Sequence, residues 1–221
     1  MIDLQNYLDS LISACKTAYG ARLKYIGLQG SYLREDATES SDIDIMAVID
    51  GFTVSDMDAY REILISLGDF EKSCGFICGS EDLLRWNPLE ICQLLNTTKD
   101  IYGELRTLVP AYSREDERSY VKLSIDGIYH ELCHRYIHAP REKSAAKLPL
   151  YAKPLFYVVQ NLYYLERGEF IILKNELRDR VCEEDRAVLD VEEECQKFGF
   201  DAAFATVFEW LKKAMERAEK A

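Results

Sequence analysis

At 221 residues, with 48% hydrophobic and 11% aromatic content, the chain is long enough for one large domain or two modest ones with a proper core. A formal charge of -12 and a pI near 4.8 argue against binding to bulk nucleic acid, because neutralising phosphates requires a basic face. No stretch reaches the length of a membrane span, and the N-terminus lacks the features of a signal peptide. The seven cysteines are odd in number and scattered, so we expect reduced thiols in a cytoplasmic protein.

The first half of the chain alternates segments of helical and strand periodicity. The predicted elements are a helix over 2–19, a strand over Leu23–Leu28, a strand over DIDIMAVID, a helix over 54–67, a strand over 74–78, helical turns after Ser80 and Pro88, and a strand within TTKDIYG. Met57 is predicted to face inward on the second long helix, and Cys74 and Cys78 are predicted to be buried. The pattern predicts a small mixed β-sheet with flanking helices.

From about Ser113 onward the sequence changes to long amphipathic segments, which are typical of a helical bundle. These segments cover 114–138, 144–167, 177–197 and 202–219. Pro110 interrupts two helix-prone regions. The predicted fold class is therefore α+β, with a sheet domain at 1–108 followed by an all-α helical bundle domain at 109–221.

Gly30-Ser31 and the alternating strand that starts at Asp42 form the main candidate site. A glycine at a strand end has no Cβ, so backbone can approach phosphate oxygens closely, while the Ser31 hydroxyl and the following N–H groups can donate hydrogen bonds. Because strand side chains alternate, Asp42 and Asp44 share one face and the isoleucine between them points into the core. Two carboxylates on one face suit Mg2+, which usually shares its ligand shell with substrate phosphates.

The segment LQGSYLREDATESSDIDIMAV resembles the signature of the polymerase-β-type nucleotidyltransferase superfamily. That signature is a hydrophobic residue, Gly, then Gly or Ser, a spacer, and a strand that alternates aspartate with hydrophobic residues. Ser41 precedes the first aspartate, as in many members, and the specific resemblance covers about residues 22–50. A catalytic domain followed by a helical domain is similar to the aminoglycoside and minimal nucleotidyltransferase branches.

The resemblance implies Mg2+-dependent transfer of a nucleoside monophosphate from a nucleoside triphosphate to a hydroxyl group, with release of pyrophosphate. Gly30 and Ser31 would bind the nucleotide, and Asp42 and Asp44 would be catalytic and would hold one or two Mg2+ ions. The helical half would shape the pocket of an unidentified small-molecule or protein acceptor, and a homodimer is left open.

A third carboxylate is missing from the expected place. Members that catalyse usually carry one on a neighbouring strand, as a metal ligand or a base for the acceptor hydroxyl, but CGFIC has no acid. Glu71, Glu81 and Glu131 stay open as candidates. The gap favours an alternative function, a non-catalytic nucleotide-binding or antitoxin-like regulatory module.

His130-Glu131-Leu132-Cys133-His134 matches the H-E-x-x-H pattern of zinc hydrolases, which is the minor alternative. His138 continues the same four-residue spacing, so the three imidazoles form a stripe along one helix face. Three imidazoles on one straight face cannot all close on one zinc ion. Packing or surface positions are therefore the favoured interpretation of the stripe.

Overall fold

The computed structural model describes residues 2–221, and the chain divides into two compact units. The first, the N-terminal unit, ends at Ala111, and the second, the C-terminal unit, covers Tyr112–Ala221. Among the described residues no helix is long and apolar enough to cross a membrane.

The N-terminal unit is a four-stranded mixed sheet with helices on both faces. Its elements are α1 (Leu4–Tyr19), β1 (Leu23–Leu28), α2 (Gly30–Leu33), β2 (Ile43–Ile49), α3 (Val54–Leu67), β3 (Ser73–Gly79), α4 (Ser80–Leu84), α5 (Pro88–Asn96) and β4 (Lys99–Tyr102). The strand order is β3-β2-β1-β4; β1 runs antiparallel to β2 and β4, whereas β2 and β3 are parallel. The predicted mixed sheet with flanking helices is confirmed.

Two hydrophobic cores lie on opposite faces of this sheet. One contains Ile43 and Ile45 of β2 together with buried residues of α1, and the other contains Met46 and Val48 of β2 together with Leu83 of α4. Side chains alternate along a strand, so Asp44 projects on the face of the second core. The polar start of β2 therefore lies at the end of this second core.

Local sequence determines where α3 begins. Thr53 and Asp56 form a capping box, in which each side chain accepts a hydrogen bond from the main chain of the other residue. Asp56 is buried and forms an ion pair with Arg22 at 2.7 Å. Because Asp56 occupies the inward side of this turn, the next residue, Met57, points outward. Met57 is 50% exposed, so the prediction that it faces the core was wrong.

The C-terminal unit is helical throughout its regular elements and surrounds a single large core. Its helices are α6 (Arg114–His138), α7 (Arg141–Lys147), α8 (Ala152–Arg167), α9 (Lys174–Arg180), α10 (Glu183–Leu189) and α11 (Val191–Lys220). The predicted helical character and the bounds of α6 are confirmed.

Two of the predicted long helices in this unit are broken. The segment 144–167 is divided by a 3-10 turn at Leu148–Tyr151, where Pro149 has no N–H to donate. The segment 177–197 contains a new helix start at Glu183, where three acids favour a helix N-terminus. Residues 191–220 form one element that is kinked at Gly199, which has φ 81°.

Candidate active site

The two parts of the predicted motif meet at one end of the sheet. The antiparallel register pairs Leu28 near the end of β1 with Ile45 near the start of β2. Gly30 and Ser31 follow β1 after one residue, Asp42 immediately precedes β2, and Asp44 is the second residue of β2. The structure therefore brings all four predicted residues to the same edge, which we call the site edge.

The Asp44 carboxylate packs directly against Gly30. Gly30 opens α2 with φ +69°, a left-handed conformation that side chains rarely adopt. A Cβ built on Gly30 would lie 2.6 Å from Asp44 Cγ and closer still to the carboxylate oxygen Oδ2. Glycine is thus required here for the Asp44 carboxylate to occupy its position.

Gln29 connects the glycine turn to two other segments. Its main-chain N–H donates to the Asp44 carbonyl at 2.9 Å, and its side-chain Nε2 donates to Thr98 Oγ1 at 2.7 Å. Gln29 does not cap α2 with its side chain, and the first N–H groups of a helical turn have no partner within the turn. These donors, together with the partly exposed Ser31 hydroxyl, are suited to anionic oxygens.

The carboxylates at the site edge fit a divalent ion that is shared with a substrate. Asp42 is exposed just before β2, whereas Asp44 is partly buried against Gly30. Within residues 2–221 no group of three or more His, Cys, Asp or Glu side chains could hold a metal ion. Mg2+ is usually bound by one or two carboxylates plus substrate phosphates, so the two aspartates match its ligand preference.

Cys74 occupies the strand position beside Asp44. The parallel register of β2 and β3 pairs these two residues directly. Desolvation, followed by a hydrogen bond to Asp44, raises the pKa of the Cys74 thiol.

Cys74 is exposed, so its predicted burial was wrong, whereas Cys78 on the same strand is buried as predicted. The cause is that β3 is an outer strand of the sheet and Cys74 lies near its first residue.

The three candidate acids lie in different places. Glu71 is exposed in the turn that leads into β3, and Ser73 of β3 pairs with Ile43 at the site edge. Glu81 follows the opposite end of β3, about 20 Å along a strand of this length. Of these two acids, Glu71 alone lies at the site edge. Glu131 belongs to the C-terminal unit, where it accepts a hydrogen bond from Arg135 Nε at 2.9 Å.

A second polar network supports β1 and β4. The Tyr25 hydroxyl donates to Asp100 Oδ1 at 2.6 Å, and the Leu105 main-chain N–H donates to the same oxygen at 3.4 Å. Burial and then the bond to Asp100 raise the pKa of Tyr25, which is fully buried. Tyr25 therefore stays neutral and acts as a structural donor close to the site edge.

The H-E-x-x-H residues are not arranged as a hydrolytic zinc site. His130, His134 and His138 are all exposed on α6. The hydrogen bond from Arg135 lowers the pKa of Glu131 and ties its carboxylate to the helix surface. Glu131 is thus engaged by a cation and is poorly placed to activate water for this pair of histidines.

Gln29, Thr98 and Cys74 were not identified from the sequence as site residues. Gln29 could have been suspected because it immediately precedes Gly30. Thr98 lies 69 residues farther along the chain and approaches the turn only because β4 pairs with β1. Cys74 could be assigned to the site only once the register of β3 against β2 was known.

Comparisons with known proteins identify a domain family for part of the chain and a shared fold. Residues 8–78 match the family model of a nucleotidyltransferase domain, a region that contains the entire site motif. No curated protein matches the sequence.

Among solved structures, the chain is similar to spectinomycin adenyltransferase AAD(9) from Enterococcus faecialis, crystallised with ATP and spectinomycin. The TM-score is 0.54 at 14% identity, with 97% of this chain and 99% of that chain covered. This likeness shows a shared fold. A toxin-antitoxin structure with AMP-PNP aligns at 21% identity over 59% of this chain and 93% of that chain, but its TM-score of 0.33 is too low to support any conclusion.

Proposed function

The chain carries a nucleotidyltransferase domain of the polymerase-β superfamily, and from this premise we propose that it transfers a nucleoside monophosphate from a nucleoside triphosphate to an acceptor hydroxyl, releasing pyrophosphate in a Mg2+-dependent reaction. The acceptor is a small molecule or a protein. The observation that supports the proposal is the contact between Gly30 and the Asp44 carboxylate, because a glycine turn that binds phosphate would then lie beside a carboxylate that can hold Mg2+.

Each side chain at the site edge has a distinct role in this proposal. The N–H groups after Gly30 and the Ser31 hydroxyl bind phosphate oxygens and orient the triphosphate. Asp42 and Asp44 would hold Mg2+, and the bound ion would supply neutralisation of phosphate charge and a lowered pKa for the attacking hydroxyl. Gln29 keeps the turn in register with β2 through its bond to the Asp44 carbonyl.

The acceptor hydroxyl must lose its proton during the transfer. Glu71 is the acid of the N-terminal unit that we propose for this role, because it leads into β3 at the site edge. Cys74, beside Asp44, is a poor proton acceptor because desolvation and then the neighbouring Asp44 carboxylate raise the pKa of its thiol and keep it protonated.

The test measures nucleotide binding and pyrophosphate release with Mg2+ and each labelled nucleoside triphosphate. The wild type is compared with an Asp42→Ala, Asp44→Ala double variant, with Glu71→Gln, and with Asp58→Ala as a control for loss of one exposed aspartate on α3. We expect the double variant to lose release and Asp58→Ala to keep it. Release that is independent of Asp42 and Asp44 would overturn the proposal.

The acceptor panel begins with spectinomycin, the acceptor bound by the structural neighbour, and extends to other small hydroxyl compounds and to the protein itself. Nucleotide binding without release across this panel would favour the alternative of a non-catalytic nucleotide-binding module. The feature behind that alternative is the missing third carboxylate, since the strand position beside Asp44 carries Cys74 and not an acid.

A further inference from the structure

The histidine stripe on α6, which consists of His130, His134 and His138, has no role in the proposed reaction. His130, His134 and His138 are exposed at four-residue spacing, and His138 is the last residue of the helix. Residues four apart on a helix are surface neighbours. The stripe therefore contains two overlapping imidazole pairs, one in the last turn of α6 and one a turn earlier.

The two pairs differ in geometry. The ring centroids of His134 and His138 are 4.9 Å apart, whereas those of His130 and His134 are 6.2 Å apart. A metal–nitrogen bond of about 2.1 Å plus the radius of the ring puts a bound ion about 3.2 Å from each centroid. For an ion faced by one nitrogen of each ring, the shorter separation corresponds to a ligand–metal–ligand angle of roughly 100°, and the longer one to roughly 150°. Tetrahedral and square-planar ions accept the first angle but not the second.

Electrostatics also favour the pair in the last turn. The free carbonyl groups at the carboxyl end of a helix give it a partial negative charge, which stabilises a cation there. Arg135 is the nearest competing cation on the helix, and it is paired with Glu131 at 2.9 Å. The positive charge of Arg135 is therefore partly offset at this end of α6.

We infer that His134 and His138 form a two-imidazole site for a divalent transition-metal ion such as Ni2+, Cu2+ or Zn2+, with water completing the ligand shell. Imidazole suits these ions, whereas Mg2+ prefers oxygen ligands. The ion joins residues of the last two turns of α6 and stabilises that end of the helix. The inference does not depend on the nucleotidyltransferase reaction, and it gives the ion no hydrolytic role.

The test titrates the full-length protein with Ni2+ by calorimetry, in an Asp42→Ala, Asp44→Ala background that removes the carboxylates of the site edge. We expect one ion per chain, and at least about a tenfold loss of affinity in His134→Ala and in His138→Ala, because the second imidazole otherwise binds intramolecularly. His130→Ala is the matched control and should change affinity by less than about twofold. Ni2+ should raise the Tm of the background protein but not that of its His138→Ala derivative.

Two results would overturn the inference. If His130→Ala weakened binding while His138→Ala did not, the ion would occupy the earlier pair. If all three variants bound Ni2+ as the background protein does, the ion would lie elsewhere, for example on a free thiol. Circular dichroism without metal checks that each variant remains folded, since all three side chains are exposed.

Discussion

Replacing Gly30 with alanine tests whether the position of the Asp44 carboxylate depends on the absence of a Cβ at residue 30. The new Cβ would lie 2.6 Å from Asp44 Cγ, whereas ordinary carbon contacts are about 3.5–4.0 Å. The Asp44 side chain must therefore move by about 1 Å, and a misplacement of that size in an active site can cost about a hundredfold in rate. We expect Gly30→Ala to lower pyrophosphate release at least about a hundredfold.

The same substitution also strains the backbone, because Gly30 has φ +69°. A left-handed conformation costs a non-glycine residue about 1 kcal/mol, which corresponds to a fall in Tm of roughly 4–8 °C for a unit of this size. Gly51 is a matched control, because it has φ +58° and its Cβ would meet no atom within 4 Å. Gly51→Ala should thus show a similar fall in Tm with activity within about twofold of wild type.

Thermal unfolding and pyrophosphate release are measured on both variants. If Gly30→Ala kept activity within a few-fold of wild type, the Asp44 carboxylate would not need its observed position, and the prediction would be refuted. If Gly51→Ala lost as much activity as Gly30→Ala, backbone strain alone would explain the loss, which would also refute it.

Two other predictions concern stability. Gln29→Ala and Thr98→Val should each lower the free energy of unfolding by about 0.5–1.5 kcal/mol, because each removes the 2.7 Å hydrogen bond between these side chains. In a double-mutant cycle followed by urea unfolding, the double variant should lose little more than the larger single effect. Additive effects would show that the hydrogen bond contributes nothing to stability. In the C-terminal unit burial raises the pKa of Asp185, but hydrogen bonds from Arg217 and Trp210 outweigh it and the pKa is lowered. The stabilisation from Asp185 is therefore complete above the ordinary aspartate pKa of about 3.9 and is lost as pH falls through the lower folded value. Asp185→Asn should lower the urea midpoint at pH 7 and make that midpoint fall less as the pH is lowered. If the midpoint of the variant fell with pH as steeply as that of the wild type, the proposed contribution of Asp185 would be contradicted.

The sequence predicts best those features whose causes are local. The bounds of β1 and α3 match their predicted ranges, because a run of apolar residues and a capping residue each act over a few positions. The proximity of Gly30 to Asp44 also follows from short-range information, since one antiparallel pairing of neighbouring strands brings them together.

Features that depend on distant pairing could not be predicted. Thr98 reaches Gln29 only after β4 has paired with β1, and the exposure of Cys74 follows from the outer position of β3. Periodicity alone placed Met57 inward, but the ion pair between Asp56 and Arg22 sets the inward face of the first turn of α3. In each case a contact between segments far apart in sequence outweighs the local pattern.

Asp44 is held through both its main chain and its side chain, since its carbonyl accepts from Gln29 and its carboxylate packs against Gly30. Immobilising a side chain on ligand binding costs about 0.5–1.5 kcal/mol, and for Asp44 that entropy is already lost when the unit folds. Asp42 is exposed ahead of β2 and has no comparable confinement. The two aspartates are therefore preorganised to different degrees, and ligand binding should order Asp42 while leaving Asp44 where it is.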